Sequence, residues 1–199
     1  MKKRRVGFLL ILMLLIHPYP AHSGAPLESV KADVNRVLDI LRDPALKGET
    51  GQKAKKEKIS ALSNEMFDFT ELSKRSLGQH WNKLSSGQQK EFVTLFKSLL
   101  EDAYADKVTA YTDEKMTFGK EISLSEKTVE VQTTVIAKTS TVPINYRVIE
   151  EDGRWKVYDV VIEGVSLISN YRTQFREILA TKTPETLLET LRKKVGKST

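Results

Sequence analysis

The group best placed by its neighbours to do chemistry is Asp159. It stands in the run Trp155 to Ile162, where Val157 and Val161 flank it at the alternate positions of a strand and put its carboxylate on an apolar, buried-looking face. A buried carboxylate must be paired or neutral. In a cavity it would be a general base of raised pKa, as in small cone-shaped α+β enzymes whose sheet carries an Asp facing an apolar pocket. Against a cation it would be an ion pair, and Arg172, on the segment that follows, would fix the corner between strand and helix. The ion pair is the preferred reading, because second catalytic groups are scarce. Of three histidines, His17 and His22 fall in the first 23 residues and leave only His80; there is no Cys, and no G-x-S-x-G, G-x-x-x-x-G-K or H-E-x-x-H pattern. The carboxylate pairs Glu101-Asp102 and Glu150-Glu151 read as solvated charge. No metal site and no cofactor site is expected.

The elements that would position Asp159 are legible around it. Trp155 to Ile162 is rich in β-branched residues, Gly164 breaks it, and Ser166 is suited to cap a helix whose apolar residues recur at Leu167, Ile168, Tyr171, Phe175, Ile178 and Leu179. Both faces of this strand are apolar, with Trp155, Val157 and Val161 on one and Tyr158, Val160 and Ile162 on the other. It should therefore be covered on both sides, unlike its neighbours. Glu151-Asp152-Gly153-Arg154 supplies a tight hairpin before it. Period-two alternations at Val129, Val131, Val135 and at Val142, Ile144, Tyr146, Val148 predict the preceding strands.

Helical spacing dominates upstream. A helix is predicted from about Pro26 to Arg42, a polar exposed loop from Lys47 to Lys58 around Gly48 and Gly51, and resumed helical period at Ile59, Leu62, Met66 and Phe69. Ser85 with Gln88 forms a capping-box pattern that opens the longest helix, with an apolar stripe reaching Val108 and Tyr111. Thr183-Pro184-Glu185 opens a last short helix. Helices, then a meander, then helices predict an α+β fold, a curved antiparallel sheet of about four strands with helices on its concave face.

The N-terminus has another role. Lys2, Lys3, Arg4 and Arg5 precede an apolar run from Val6 to Ile16, too short to span a bilayer as a helix, and Ala21-His22-Ser23 presents small residues for cleavage before Gly24. Residues 1–23 thus read as a secretory signal and 24–199 as one domain, with an N-terminal helical part over 24–66. Removing the signal takes away four basic residues and no acidic ones, leaving 28 basic against 26 acidic. Nucleic acid thereby loses its support as a partner. Without Cys the exported fold must rest on packing alone, as a monomer.

The chain resembles the MlaC family, also called the toluene-tolerance family, of periplasmic phospholipid-binding proteins. The resemblance rests on Phe67-Asp68-Phe69, Leu77-Gly78 with Trp81, and Gln88, Phe92, Leu95-Phe96, Leu99-Leu100 and Tyr104. It continues through Tyr146-Arg147, Trp155-Lys156-Val157, Asp159-Val160, Glu163-Gly164-Val165-Ser166-Leu167, Asn170-Tyr171-Arg172 and Gln174-Phe175. It covers 67–199 as the family core and departs from the family at Thr183-Pro184, where Gly is common.

The resemblance implies an NTF2-like or cystatin-like core, with an apolar cavity between sheet and helices and no enzyme activity. It implies a soluble carrier that moves diacyl phospholipid between an outer-membrane lipoprotein complex and an inner-membrane ABC transporter with its membrane-anchored lipid-binding subunit, maintaining outer-membrane lipid asymmetry. On that basis the cavity wall is assigned to Phe92, Phe96, Leu99, Leu100, Tyr104, Val131, Val135, Ile144, Tyr146, Val148, Val157, Val161 and Val165. Asp159, Gly164, Ser166 and Arg172 are assigned structural roles. An NTF2-like cavity enzyme using Asp159, and an exported interaction module with a filled core, remain the alternatives.

Overall fold

A computed structural model describes residues 25–110 and 114–196. The expected signal segment and the end of the long stripe at Tyr111 lie outside the described residues. Helix α1 (Ala25–Arg42) runs into a 3-10 turn at Pro44–Leu46, followed by α2 (Gly48–Met66), α3 (Phe69–Leu77), a second 3-10 segment and α4 (Ser86–Thr109). Strands β1 (Lys115–Ser125), β2 (Thr128–Ile136), β3 (Thr141–Glu151), β4 (Arg154–Ile162) and β5 (Val165–Ser166) form one antiparallel meander in chain order, and α5 (Leu167–Leu179) and α6 (Pro184–Val195) close the chain.

The local signals act as expected. Ser85 accepts from the Gln88 amide while the Gln88 side chain accepts from the Ser85 amide, opening α4; Ser166 caps α5 and Thr183 caps α6, with Pro184 in its first turn. Asp152 and Gly153 both take positive φ in the β3–β4 hairpin. Glu163 and Gly164 do the same after β4, so the chain makes a second tight hairpin, and a two-residue fifth strand precedes the helix.

Lys47 to Lys58 is not a loop. It forms the first half of α2, because what holds it is contact with α1 and the preceding turn rather than an apolar stripe of its own. An added Cβ at Gly51 would lie 2.3 Å from the Leu46 carbonyl carbon, so only glycine lets the helix sit this close to the turn. Lys55 is buried, and its Nζ donates to the Leu41 carbonyl at the end of α1 over 3.1 Å.

Two apolar clusters divide the interior. One lies among α3, α4, α5 and α6: Phe92 and Phe96 meet Tyr171 and Phe175 edge-on at centroid distances of 4.9 to 5.3 Å, with Leu187, Leu188 and Leu191 around them. The other lies between α1 and the sheet, where Val30, Val34 and Met66 meet Val131, Val148, Val157 and Val160. Strand β4 is buried from Val157 to Val161 and contributes to both, Tyr158 to the first and Val157 and Val160 to the second. This is the double coverage expected of it.

The expected division of β4 into faces does not hold. Val148 pairs with Val157 but Arg147 pairs with Asp159, leaving Tyr158 as an extra residue in a bulge. The bulge reverses parity, so Trp155 and Val157 join Val160 and Ile162 rather than Val161.

A candidate lipid cavity and its charged rim

An apolar cavity of about 300 Å³ opens where α1, α2 and α4 meet the sheet. The wall from the sheet is Met116, Val135, Ile144, Tyr146, Val160 and Ile162. These residues share one face because the register sets Tyr146 opposite Val160 and Ile144 opposite Ile162. Helix α1 supplies Val34, Val37 and Leu38, α2 supplies Ile59 and Met66, and α4 supplies Leu100, Tyr104, Ala105 and Val108. Phe67, Phe69, Leu72 and Leu167 also line it. Burial raises the pKa of the Tyr104 hydroxyl, which keeps it a neutral wall group.

Polar groups gather along the seam between α2 and α4 and at one end. Ser60 Oγ and Ser63 Oγ both donate to Glu101 Oε1, at 2.7 and 3.2 Å, and Lys97 Nζ lies 3.7 Å from the same oxygen. Lys56 Nζ meets Asp106 at 2.8 Å. Of the lining residues Met66, Leu72, Leu100, Val135 and Val160 are buried, whereas Lys56 and Lys115 are exposed.

Of the wall assigned from sequence, the structure brings Leu100, Tyr104, Val135, Ile144 and Tyr146 to the cavity. It sends the others elsewhere. Phe92 and Phe96 fill the helical core with Leu99 against them, while Val131, Val148 and Val157 are packed between sheet and α1. Val161 is buried but does not line the cavity, and Val165 is 59% exposed in the tight hairpin. The sequence reading omitted the contribution of α1 and α2. The signal was present in the helical spacing of Val34, Val37 and Leu38 and of Ile59 and Met66, which needs a partner surface.

Asp159 is not a cavity group. It is 1% exposed, and it accepts from Arg147 Nη1 at 3.2 Å, Ser166 Oγ at 2.6 Å and the Ile168 amide at 3.1 Å. Its partner is thus Arg147, not Arg172; Arg172 Nε donates instead to the Arg75 carbonyl at 2.9 Å. The correction follows from the bulge. Counting back from the Asp152-Gly153 turn would set Asp159 opposite Tyr146, and the one extra residue moves it opposite Arg147. Arg147 also pairs with Glu130 on β2 at 2.9 Å, so three strands are tied in one row. Gly164 and Ser166 hold their expected structural places.

A family model described as MlaC protein matches residues 31–193. The intermembrane phospholipid transport system binding protein MlaC of Haemophilus influenzae is 26% identical over 135 residues, covering 64% of this chain and 63% of the relative, so the chain spans less than two thirds of that relative's length. A phospholipid-binding protein from Ralstonia solanacearum, solved in complex with a phospholipid, superposes with a TM-score of 0.76 at 25% identity, covering 87% of this chain and 98% of the other.

Proposed function

The chain belongs to the MlaC family, and on that premise we propose that it is a periplasmic phospholipid carrier whose apolar cavity hides the acyl tails in transit. The observation that carries this reading is the cavity itself: an unfilled space of about 300 Å³ walled by aliphatic and aromatic side chains from helices α1 to α5 and the sheet. Two tails hold about thirty methylenes, and at ~0.8 kcal/mol each their exposure to water would cost on the order of 20 kcal/mol. A carrier must therefore enclose both. The volume lies at the low end of the ~300–1,000 Å³ common for ligand pockets, so the walls part to admit two chains. The seam between α2 and α4 is the place to part, since Lys56–Asp106 and Ser60 and Ser63 with Glu101 are polar contacts that water can replace.

Secretion through the signal at residues 1–23 would deliver the chain to the periplasm. There it would exchange lipid with the outer-membrane lipoprotein complex and the inner-membrane ABC transporter with its membrane-anchored subunit. The position of Asp159 outside the cavity and its three hydrogen bonds favour this reading over a general base.

Phospholipid transfer between donor and acceptor vesicles, followed with labelled lipid, tests it. Transfer should rise in proportion to protein concentration; a rate equal to the protein-free rate would contradict a carrier.

A further inference from the structure

The space between sheet and helices is much smaller than a diacyl lipid. An apolar cavity of ~150 Å³ takes up benzene, about six carbons, so about 300 Å³ takes about twelve, against the about thirty methylenes of two tails. Its walls are tied shut. Across the α2–α4 seam Ser60 and Ser63 both direct their hydroxyls to Glu101 Oε1, with Lys97 against the same oxygen. Helix α1 is held beside β1 at both ends: the Leu27 amide donates to Glu121 Oε1 at 2.7 Å, and Arg42 Nη2 donates to the Glu114 carbonyl at 2.9 Å. The space still reaches the surface, because the lining residues Val37, Ala105 and Val108 are only half-buried and Lys56 is exposed. Met66 and Met116, the only methionines outside residues 1–23, both line it. Their unbranched thioethers adapt to the shape of a chain laid against them.

We infer that the closed cavity serves a second class of ligand, lipids with a single acyl chain of about twelve carbons, which enter and leave without parting α2 from α4. This rests on the reading of the cavity as a lipid site and adds a ligand that the reading does not name. A fatty acid and a lysophospholipid are two sources of the same chemistry, one acyl chain ending in a polar group that stays in water. Hydrolysis of one acyl ester of a diacyl phospholipid consumes a water and releases one of each, so that class of reaction supplies both. The two classes of ligand ask different things of the protein. One short chain fills space that already exists, and its affinity is set by the methylenes it buries. Two long chains must first separate Ser60 and Ser63 from Glu101.

Binding of the saturated fatty acids from octanoate to hexadecanoate, and of the lysophosphatidylglycerols with the same chains, each at monomer concentrations, reads the length that fits. In both series affinity should rise about fourfold per added methylene up to about twelve carbons and level off beyond, as burial of successive CH₂ groups in a space of fixed size requires. The seam is tested in the double variant Ser60→Cys with Glu101→Cys, which places one thiol on each side of it in a chain that has no other cysteine. Closing these thiols with a short bis-thiol cross-linker should leave dodecanoate binding within about twofold of the uncross-linked variant and weaken dioleoylphosphatidylglycerol more than about tenfold. Affinity that keeps rising to hexadecanoate, a plateau in only one of the two series, or loss of dodecanoate on cross-linking would overturn the single-chain site and leave the carrier reading standing. So would a protein that binds the diacyl lipid but neither dodecanoate nor its lysophosphatidylglycerol. Diacyl binding that survives the cross-link would overturn the distinction drawn at the seam. Binding of neither class of lipid by the unmodified, folded protein would overturn the single-chain site together with the lipid reading beneath it.

Discussion

Ser166 Oγ donates to Asp159 Oδ2 over 2.6 Å and at the same time accepts from the Ser169 amide, so one hydroxyl joins a buried strand carboxylate to the N-terminus of α5. Asp159 Oδ1 takes the Ile168 amide of the same first turn. A carboxylate is thus placed where the helix dipole is positive, and the Arg147 guanidinium faces it across β3. These contacts set the angle at which α5 leaves the sheet. Removing the buried partner should be costly: Asp159→Ala is expected to lower stability by about 3 kcal/mol or more, because it leaves the Ile168 amide and the Ser166 hydroxyl without their buried acceptor and takes from Arg147 one of its two carboxylates. Arg172→Ala, which loses an exposed contact to the Arg75 carbonyl, should cost less than about 1 kcal/mol. Urea unfolding of the two variants measures the difference. Equal losses would return the partnership to Arg172.

Cavity wall and filled core should respond in opposite ways. Ala105 lines the cavity, so Ala105→Phe should occupy the space, reduce phospholipid occupancy more than about tenfold and leave the melting temperature unchanged or raised. Phe96 is fully buried among Phe92, Tyr171 and Phe175, and Phe96→Ala should cost about 3–5 kcal/mol while the folded fraction still takes lipid. Quantified lipid per folded chain, read beside thermal unfolding, checks both.

Gly51 provides a test of how α2 is seated. Its Cβ would meet the Leu46 carbonyl carbon at 2.3 Å, so Gly51→Ala should destabilise by about 1–3 kcal/mol despite the better helix propensity of alanine. A neutral or stabilising effect in urea unfolding would mean that α2 has room to move away from the turn.

The contact between α4 and α6 predicts a pH dependence. Arg192 Nε donates to Glu91 Oε1 at 2.6 Å and holds the Glu91 carboxyl below its ordinary value of 4.5. A carboxylate whose folded pKa is depressed contributes stability above the ordinary range, and that contribution is lost as pH falls through the folded value. Glu91→Gln should therefore lower Tm slightly at neutral pH, with the gap to the unmodified protein narrowing below pH 4.5. A gap that widens in acid would contradict this sign.

What the sequence revealed was what short-range chemistry decides. Caps at Ser85, Ser166 and Thr183 and the Asp152-Gly153 turn depend on residues within a few positions, and each appears in place. The assignments that changed depend on distant contacts. Lys47 to Lys58 carries no apolar period, and its helix exists because Gly51 fits against Leu46 and Lys55 reaches the end of α1. A single bulged residue, Tyr158, moved Val157 to the face of Val160 and gave Asp159 a different partner. Apolar stripes likewise do not say whether they meet a neighbour or a void. Phe96 and Tyr104 lie on the same helix, yet one is packed solid and the other faces the cavity.

Native mass spectrometry of the purified protein tests the central claim most directly. The account predicts a population heavier than the bare chain by the mass of one diacyl phospholipid, which is released and identified on activation and is depleted in Ala105→Phe. A folded protein that stays at the mass of the bare chain after incubation with phospholipid would contradict it.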